Sequence, residues 1–369
     1  MRVLFLSNHE VTLYYFRVEL IKKLIEDGND VVISQPFGEH KAFFESLGCH
    51  CCNSEITQYG MNPLKETSLI KDYKKLIKTV KPDIVVTYTI KPNLYGGMAS
   101  AKYGVPYIST ITGLGGAFEK GTLFRRMTVA LYKRATRKIA ALFFQNKSAS
   151  DLFDSFGIAK GKHVIVNGSG VNLEKYLFSE YPEEGDDVNL LYVGRIMNDK
   201  GVRELFDAVS NLKKNGIKVS LDAVGWCEDD CRELLDDAIS SGTVDYHGWQ
   251  NDVRPFIEKC NAVVLPSYHE GMANVLLEAE ACGRPVLASN IHGCIETFDE
   301  GITGFGFEPR DSASFENAIR QFVQLPHSRK SEMGRRAREK VQKEFDRNTV
   351  VKEYTNTIYK FGGHDNGSL

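Results

Sequence analysis

The chain has 369 residues, 42% hydrophobic and 25% charged, with a formal net charge of −2. A soluble chain of this length usually makes two domains with large cores, and it has no apolar run of the ~18 residues that a membrane-spanning helix needs. Its eight cysteines are scattered without zinc-type spacing, which reads as reduced cytosolic thiols, with Cys260 and Cys282 as small core residues.

The near-neutral total hides an asymmetry. Residues 1–180 carry 24 Lys and Arg against 16 Asp and Glu, whereas residues 181–369 carry 22 against 32. A basic half joined to an acidic half predicts that one lobe faces an anionic surface.

Met1-Arg-Val-Leu-Phe-Leu-Ser runs straight into a strand pattern, with neither an h-region nor a cleavage site, as expected of a cytosolic protein. The first lobe then alternates apolar β-branched runs with helical patterns. Strands are predicted at Val3–Ser7, Val31–Ser34, Ile84–Tyr88, Tyr107–Ile111, Leu142–Gln145 and Val164–Asn167. Helices are predicted around Tyr14–Asp27, Ser68–Val80, Asn93–Tyr103 and Leu123–Ala141. Alternation of this kind implies a doubly wound parallel sheet. The acidic, turn-rich segment Ser179–Asp187 reads as a linker. The pattern restarts with strands at Val188–Val193, Val219–Val224, Val263–Pro266 and Pro285–Ser289, and residues 346–361 read as a closing helix. The expected architecture is therefore α/β, with two Rossmann-like doubly wound domains facing a central cleft. The N-terminal domain spans 1–170 and the C-terminal domain 171–345, with helix 346–361 packing back on the first.

Between Leu123 and Phe144 the chain carries Arg125, Arg126, Lys133, Arg134, Arg137 and Lys138 and no acid. At 100° per residue, Arg126, Lys133, Arg134 and Arg137 share about a third of the helical wheel, largely opposite Phe124, Met127, Leu131, Ile139 and Leu142. Two readings stand for this stripe: a reversible dock on an anionic membrane, at roughly 1 kcal/mol per cation, or a solvated face. No aromatic platform or recognition motif accompanies the charge, so nucleic acid is not expected as a partner.

Arg195 and Lys200 follow a strand and open a helix. Arg suits bidentate contact with phosphate and Lys supplies a compact charge, and fixed cations there would stabilise a departing diphosphate. Further on, Glu270 and Glu278 enclose seven residues after the strand Ala262-Val-Val-Leu-Pro-Ser267. Gly271 lets the backbone pass close to a ligand. The helix starting at Asn274 presents free N–H groups suited to phosphate, and Asn274 and Glu278 share one helical face. An acid on that face, beside bound phosphate, points to gripping sugar hydroxyls. The local chemistry reads as a nucleotide-sugar site. A paired-carboxylate reading of Glu270, as the nucleophile of a retaining glycosidase, also exists on residue type alone.

Four segments in one order carry a resemblance: Val193-Gly194-Arg195-Ile-Met-Asn-Asp-Lys200-Gly201, Tyr246-His-Gly248-Trp249, Leu265-Pro-Ser-Tyr-His-Glu270-Gly271 and Glu278-Ala-Glu-Ala-Cys-Gly283-Arg-Pro285. Through them the second lobe resembles retaining glycosyltransferases of family 4, which share the two-lobed GT-B fold. The first lobe resembles a narrower bacterial branch of that family through Tyr14-Tyr-Phe-Arg17, Thr89-Ile-Lys91-Pro-Asn93 and Ile111-Thr112-Gly113-Leu-Gly115. Members of that branch extend glycans on undecaprenyl-diphosphate for capsules, O-antigens, exopolysaccharides and glycoproteins.

The resemblance implies that Arg195 and Lys200 clamp the donor diphosphate in place of a metal ion, so that neither metal nor cofactor is required. It places Glu270 on the donor sugar's hydroxyls, Glu278 on the ribose, and the amides of Gly271, Met272, Ala273, Asn274 and Val275 near sugar and phosphate. Met272 and Ala273 are expected to line the sugar pocket. Gly194, Gly248 and Trp249 fall where the family holds the rest of the donor. Trp249 either contacts a uracil or caps the core. The expected co-substrate is a UDP-sugar, the expected acceptor a polyprenyl-diphosphate-linked glycan, and the expected location the cytoplasmic face of the membrane, peripherally bound. For the acceptor, Lys91, Arg17, Thr112, Gly113 and His9 are the candidates, Lys91 and Arg17 each with a non-functional reading as ordinary basic residues. The family's Gly-Gly turn after the first strand is replaced by Ser7-Asn8-His9-Glu10, and Thr112 stands where many members have His. An epimerase or hydrolase of the same fold, or a non-catalytic subunit of a glycosyltransferase complex, is the alternative reading.

Overall fold

The structure is a computed structural model and describes residues 1–54, 56, 63–113, 118, 122–185 and 187–363. The chain divides into two compact units, Met1–Ser169 with Asn348–Leu369, and Gly170–Arg347.

The first unit is built on β1 (Arg2–Leu6), β2 (Asp30–Gln35), β3 (His50–Asn53), β4 (Ile84–Tyr88), β5 (Tyr107–Ile111), β6 (Ala141–Phe144) and β7 (His163–Ile165). They pair in the order β3-β2-β1-β4-β5-β6-β7, every pairing parallel, with Leu4 opposite both Val32 and Val85. Because side chains alternate along a strand, Leu4, Leu6, Val85, Leu142 and Phe144 enter one core layer, and Val3, Phe5, Ile84, Val86 and Phe143 the other. Burial on both faces explains the near-continuous apolar strands that the sequence shows. The closing helix runs Arg347–Gly362. It seats Val350, Tyr354 and Ile358 in the second layer, with the Tyr354 ring stacked 4.1 Å from Phe143 and its hydroxyl 2.7 Å from Thr110 Oγ1.

Three helices depart from expectation. The pattern at Tyr14–Asp27 divides into Glu10–Phe16 and Val18–Glu26, because Arg17 leaves the helical region at φ −137° and ψ 6°. The Gly-rich segment opens with a π-turn, Pro92–Gly96, before the helix Gly97–Tyr103. The basic helix runs only Thr122–Ala135. The chain then turns so that Ile139, 1% exposed, enters the core just before β6.

The second unit orders β8 (Val188–Val193), β9 (Val219–Val224), β10 (Asp245–Tyr246), β11 (Ala262–Leu265), β12 (Val286–Ser289) and β13 (Gly304–Phe307) as β10-β9-β8-β11-β12-β13, again all parallel. The segment Ser179–Asp187 is not a boundary between units but a strap on this one. Its carbonyls find a donor in Arg284, which is fully buried and bonds Ser179 O at 2.9 Å and Glu180 O at 3.1 Å. Tyr181 reaches Asn261 O at 2.9 Å, and His327 reaches Pro182 O at 2.8 Å. Turn-rich composition marks a segment without regular structure, and a buried guanidinium can pin such a segment as well as solvent can free it.

Candidate functional site

In the second unit the strand order reverses between β8 and β11, and in a doubly wound sheet the crevice beyond the strand ends at that point is where ligands bind. The loop after β8 carries Gly194, Arg195 and the turn Asn198–Lys200. The loop after β11 carries Glu270 and leads to the helix Asn274–Ala281. The two are joined by Tyr268 N–H to Asp199 O at 3.0 Å. Gly201, at φ +64°, lies so close that a Cβ there would stand 2.1 Å from Pro266 O. This juxtaposition brings Lys200 Nζ onto Glu270 Oε1 in an ion pair, with side chains 22% and 15% exposed.

Arg195 is set from below. The buried Tyr192 hydroxyl donates to Arg195 O at 2.7 Å, and Ile196 N–H donates to Trp226 O at 2.7 Å. Gly225 at φ +144° allows the β9 end to press on this loop, since a Cβ there would meet Gly194 O at 1.9 Å. The Arg195 guanidinium itself is half exposed, 3.3 Å from Glu228. Next to it, Gly225 N–H bonds Gly248 O at 2.8 Å. Trp249 is 44% exposed, so it does not cap the core. It packs instead on Trp226, itself 62% exposed, with ring centroids 5.7 Å apart.

The helix Asn274–Ala281 begins without a side-chain cap; Asn274 N–H bonds Met272 O at 3.0 Å and Leu276 N–H bonds Ala273 O at 3.0 Å, and the positive end of the helix dipole lies at this start. Asn274 Oδ1 is buried with no hydrogen bond. Gly271, Asn274 and Val275 are half-buried. Met272 and Ala273 are 6% and 2% exposed and pack in the core. Ala273 N–H bonds Gly293 O at 2.8 Å, which braces this loop. Glu278 is half-buried on the same helical face as Asn274. Burial holds its carboxyl above the ordinary range, and a hydrogen bond with the Tyr176 hydroxyl pulls the other way.

In the first unit, His9 caps the helix Glu10–Phe16, its Nδ1 accepting from Val11 N–H at 3.1 Å. Arg17 lies at the junction of two helices rather than on a helix face. It is 3% exposed, with its guanidinium 5.0 Å from the Tyr88 ring and 5.1 Å from that of Tyr354, and it donates to Phe16 O at 2.6 Å. Lys91 is also buried and pairs with Glu66 at 3.0 Å, so it is not a solvated loop residue. Thr112 and Gly113 follow β5 directly, half-buried and exposed, while Gly115 lies outside the described residues. Arg126, Lys133 and Arg134 are exposed along Thr122–Ala135. Arg137 sits in the turn beyond that helix, where the wheel no longer places it, and Met127, 47% exposed, is not on a buried face.

Residues 2–146 match the family model "Glycosyl transferase 4-like" and residues 187–324 the model "Glycosyl transferases group 1". The UDP-Gal:alpha-D-GlcNAc-diphosphoundecaprenol alpha-1,3-galactosyltransferase of Escherichia coli is 30% identical, covering 69% of this chain and 71% of that protein. The chain is a glycosyltransferase of family 4. The N,N'-diacetylbacillosaminyl-diphospho-undecaprenol alpha-1,3-N-acetylgalactosaminyltransferase of Campylobacter jejuni is 26% identical over 96% of this glycosyltransferase and 97% of the relative. Among solved structures, Anabaena HepE in complex with UDP superposes with a TM-score of 0.81 at 17% identity, covering 98% and 100% of the two chains. A glycosyltransferase from Rickettsia africae gives 0.79 at 18% identity, over 99% of each. The fold is thus GT-B.

Four side chains of this glycosyltransferase's site are absent from the sequence reading: Tyr176, Tyr192, Trp226 and Glu228. A Trp directly after the strand-ending Gly225 was a visible signal for Trp226. Tyr176 stands about a hundred positions from Glu278, and no local spacing links the two. No helix among the described residues is long and apolar enough to cross a membrane.

Proposed function

We propose that this glycosyltransferase transfers a hexose or N-acetylhexosamine from a UDP-sugar, with retention, to a glycan on undecaprenyl-diphosphate at the cytoplasmic membrane face. The observation that carries the proposal is the meeting of Lys200 and Glu270 at the switch point, beside an uncapped helix start that also bears Glu278. The diphosphoundecaprenol acceptors in the names of the Escherichia coli and Campylobacter jejuni relatives support the acceptor class. The UDP-Gal donor of the former and the UDP held by HepE support the donor.

In the proposed reaction Arg195 and Lys200 neutralise the diphosphate as charge develops on it, without recourse to a metal ion. Glu270 holds donor-sugar hydroxyls, Glu278 accepts from the ribose hydroxyls, and the positive end of the helix at Asn274 attracts phosphate. The acceptor oxygen bonds to the anomeric carbon on the face the diphosphate leaves. The sugar–phosphate bond breaks, and the acceptor's proton passes to a phosphate oxygen of the departing UDP. Basic residues Arg126, Lys133, Arg134 and Arg137 hold the first unit to the anionic membrane.

The test is an assay of the purified chain against a panel of UDP-sugars with undecaprenyl-diphosphate-linked monosaccharides, in the presence of EDTA. Transfer of one sugar with an α linkage from an α donor is expected. Donor loss without transfer would favour an epimerase or hydrolase, and silence with every donor would favour a non-catalytic subunit.

A further inference from the structure

All seven strands of the first unit run parallel, so the turns that precede β6 and β7 lie at the N-terminal strand ends, opposite the C-terminal ends where Lys91 and Thr112 stand. There, Lys133, Thr136 and Arg137 from the end of the basic helix meet Gly157, Ala159, Lys160 and Lys162 from the turn before β7. They line an open hollow of about 300 Å³. Its four cations are all exposed, and no acid is among the lining residues. The two turns are tied by Lys162 Nζ donating to Ile139 O at 2.6 Å. The acids of the intervening chain are directed elsewhere, Asp151 to Lys147 at 2.6 Å and Asp154 to His163 at 3.7 Å. Among the described residues, Lys133, Arg137 and Lys160 form no ion pair, although exposed lysines elsewhere, such as Lys23 and Lys41, take an acid one helical turn away.

Four like charges around one concavity repel each other unless an anion sits among them. A carboxylate brings a single charge, whereas a terminal phosphate or a diphosphate brings two or more, with several acceptor oxygens for an Arg fork and Lys ammonium groups. A flat basic face would attract any anionic surface alike; a hollow admits a protruding headgroup and selects for it. We propose that this hollow is a binding site for a multiply charged phosphate, supplied by the headgroup of a membrane phospholipid. The phosphate chemistry stands on the hollow alone, and only its membrane source rests on the lipid-linked reading of the acceptor.

The experiment is co-sedimentation of the full chain with vesicles bearing phosphatidic acid, whose phosphate is terminal, or phosphatidylglycerol at matched surface charge. The wild-type chain should prefer phosphatidic acid by about tenfold, the scale of one charged hydrogen bond. Arg137→Ala with Lys160→Ala should abolish the preference, while Arg125→Ala with Arg126→Ala, at the far end of the same helix, should keep it. Thermal unfolding checks that each variant folds, and Lys160→Glu provides a second, single-site variant expected to act in the same direction. Equal weakening by both pairs on both lipids would overturn the site in favour of diffuse charge. Pyrophosphate titrated into the UDP-saturated chain separates the sources: binding lost with Arg137→Ala and Lys160→Ala, without any vesicle preference, would overturn the headgroup and leave a free anion. Donor turnover in detergent is indifferent to each of these results, so failure here and failure of the proposed transfer are told apart.

Discussion

Lys200 is paired with Glu270, and the proposed chemistry asks the two to part company, one toward phosphate and the other toward sugar. Their pairing keeps both charges satisfied in a half-buried crevice until a donor carrying both functions arrives. Lys200→Ala or Arg195→Ala should lower kcat by at least ~100-fold, the scale of losing one transition-state donor, and near-normal turnover in either would refute the clamp. Glu278 offers a finer probe. It must be ionised to accept from ribose hydroxyls, and burial holds its carboxyl above the ordinary range while the Tyr176 hydroxyl pulls it down. Donor KM should therefore rise as pH falls through that raised value. Tyr176→Phe removes the downward pull and should move this acid limb to higher pH with little change in kcat on the alkaline side; a KM profile that does not move would dissociate Tyr176 from Glu278. The motif spacing made Arg195, Lys200, Glu270 and Glu278 readable because all lie in the loops after β8 and β11 or in the helix that the second loop opens. The surroundings of Arg17 were not legible, because a lone basic residue in a helical pattern carries no sign of the two tyrosines, one in β4 and one in the last helix, that enclose it.

At the scale of elements, the helix Asn274–Ala281 has two unlike faces. Asn274 and Glu278 are half-buried beside the crevice, but Glu280 is wholly buried, and neither of its oxygens makes a hydrogen bond of good geometry. Around it stand Thr303, Asp299, Lys340 and Glu344. Lys340, the one cation of that group, is held by Asp299 at 3.0 Å and Glu344 at 3.2 Å. Burial raises the Glu280 carboxyl well above its ordinary 4.5, so the folded chain keeps a proton that the unfolded chain releases. Stability from this group is full below that ordinary value and is lost as pH rises toward the folded one. Glu280→Met should remove the loss, raising unfolding free energy by about 1–3 kcal/mol at pH 8 and by less at pH 5, as measured by urea denaturation. An equal gain at both would mean that protonation is not the cause.

Most strands of both sheets were legible from near-continuous apolar, β-branched runs, with boundaries off by a residue or two. Three were not. β3 reads His-Cys-Cys-Asn, β10 is only Asp245–Tyr246 and β13 reads Gly-Phe-Gly-Phe; all three are edge strands, so none shows the continuous apolar run of a central strand. The strap Ser179–Asp187 passed for a linker because the residue that holds it, Arg284, is a hundred positions away.

For the whole molecule, composition announced two α/β units and motif order announced the family, while the charge asymmetry announced only a sign. What the sequence left unseen was where the first unit's charge gathers: partly on the helix Thr122–Ala135 and partly around the hollow at the N-terminal ends of β6 and β7. The first unit is also discontinuous, taking Asn348–Leu369 from the end of the chain. A chain ending at Arg347 should lose cooperative unfolding of this unit, because Val350, Tyr354 and Ile358 leave the core and Arg17 loses one of its two aromatic walls. A peptide spanning residues 348–363, added in trans, should restore it. If the shortened chain unfolds with an unchanged transition, the helix is ornamental.

That borrowing fixes an order of events during synthesis. The ribosome makes β1 before the second unit and the helix that covers Phe143 after it. At synthesis rates of about 5–20 residues per second, the 178 residues from Gly170 to Arg347 take about 10–35 s. Through that interval the first sheet waits with one apolar face incomplete, while the second unit, contiguous in the chain, is free to finish. The nascent first unit is therefore the piece with the longest exposure to chaperones and to aggregation, and the half that reads earliest in the sequence is the half that matures last.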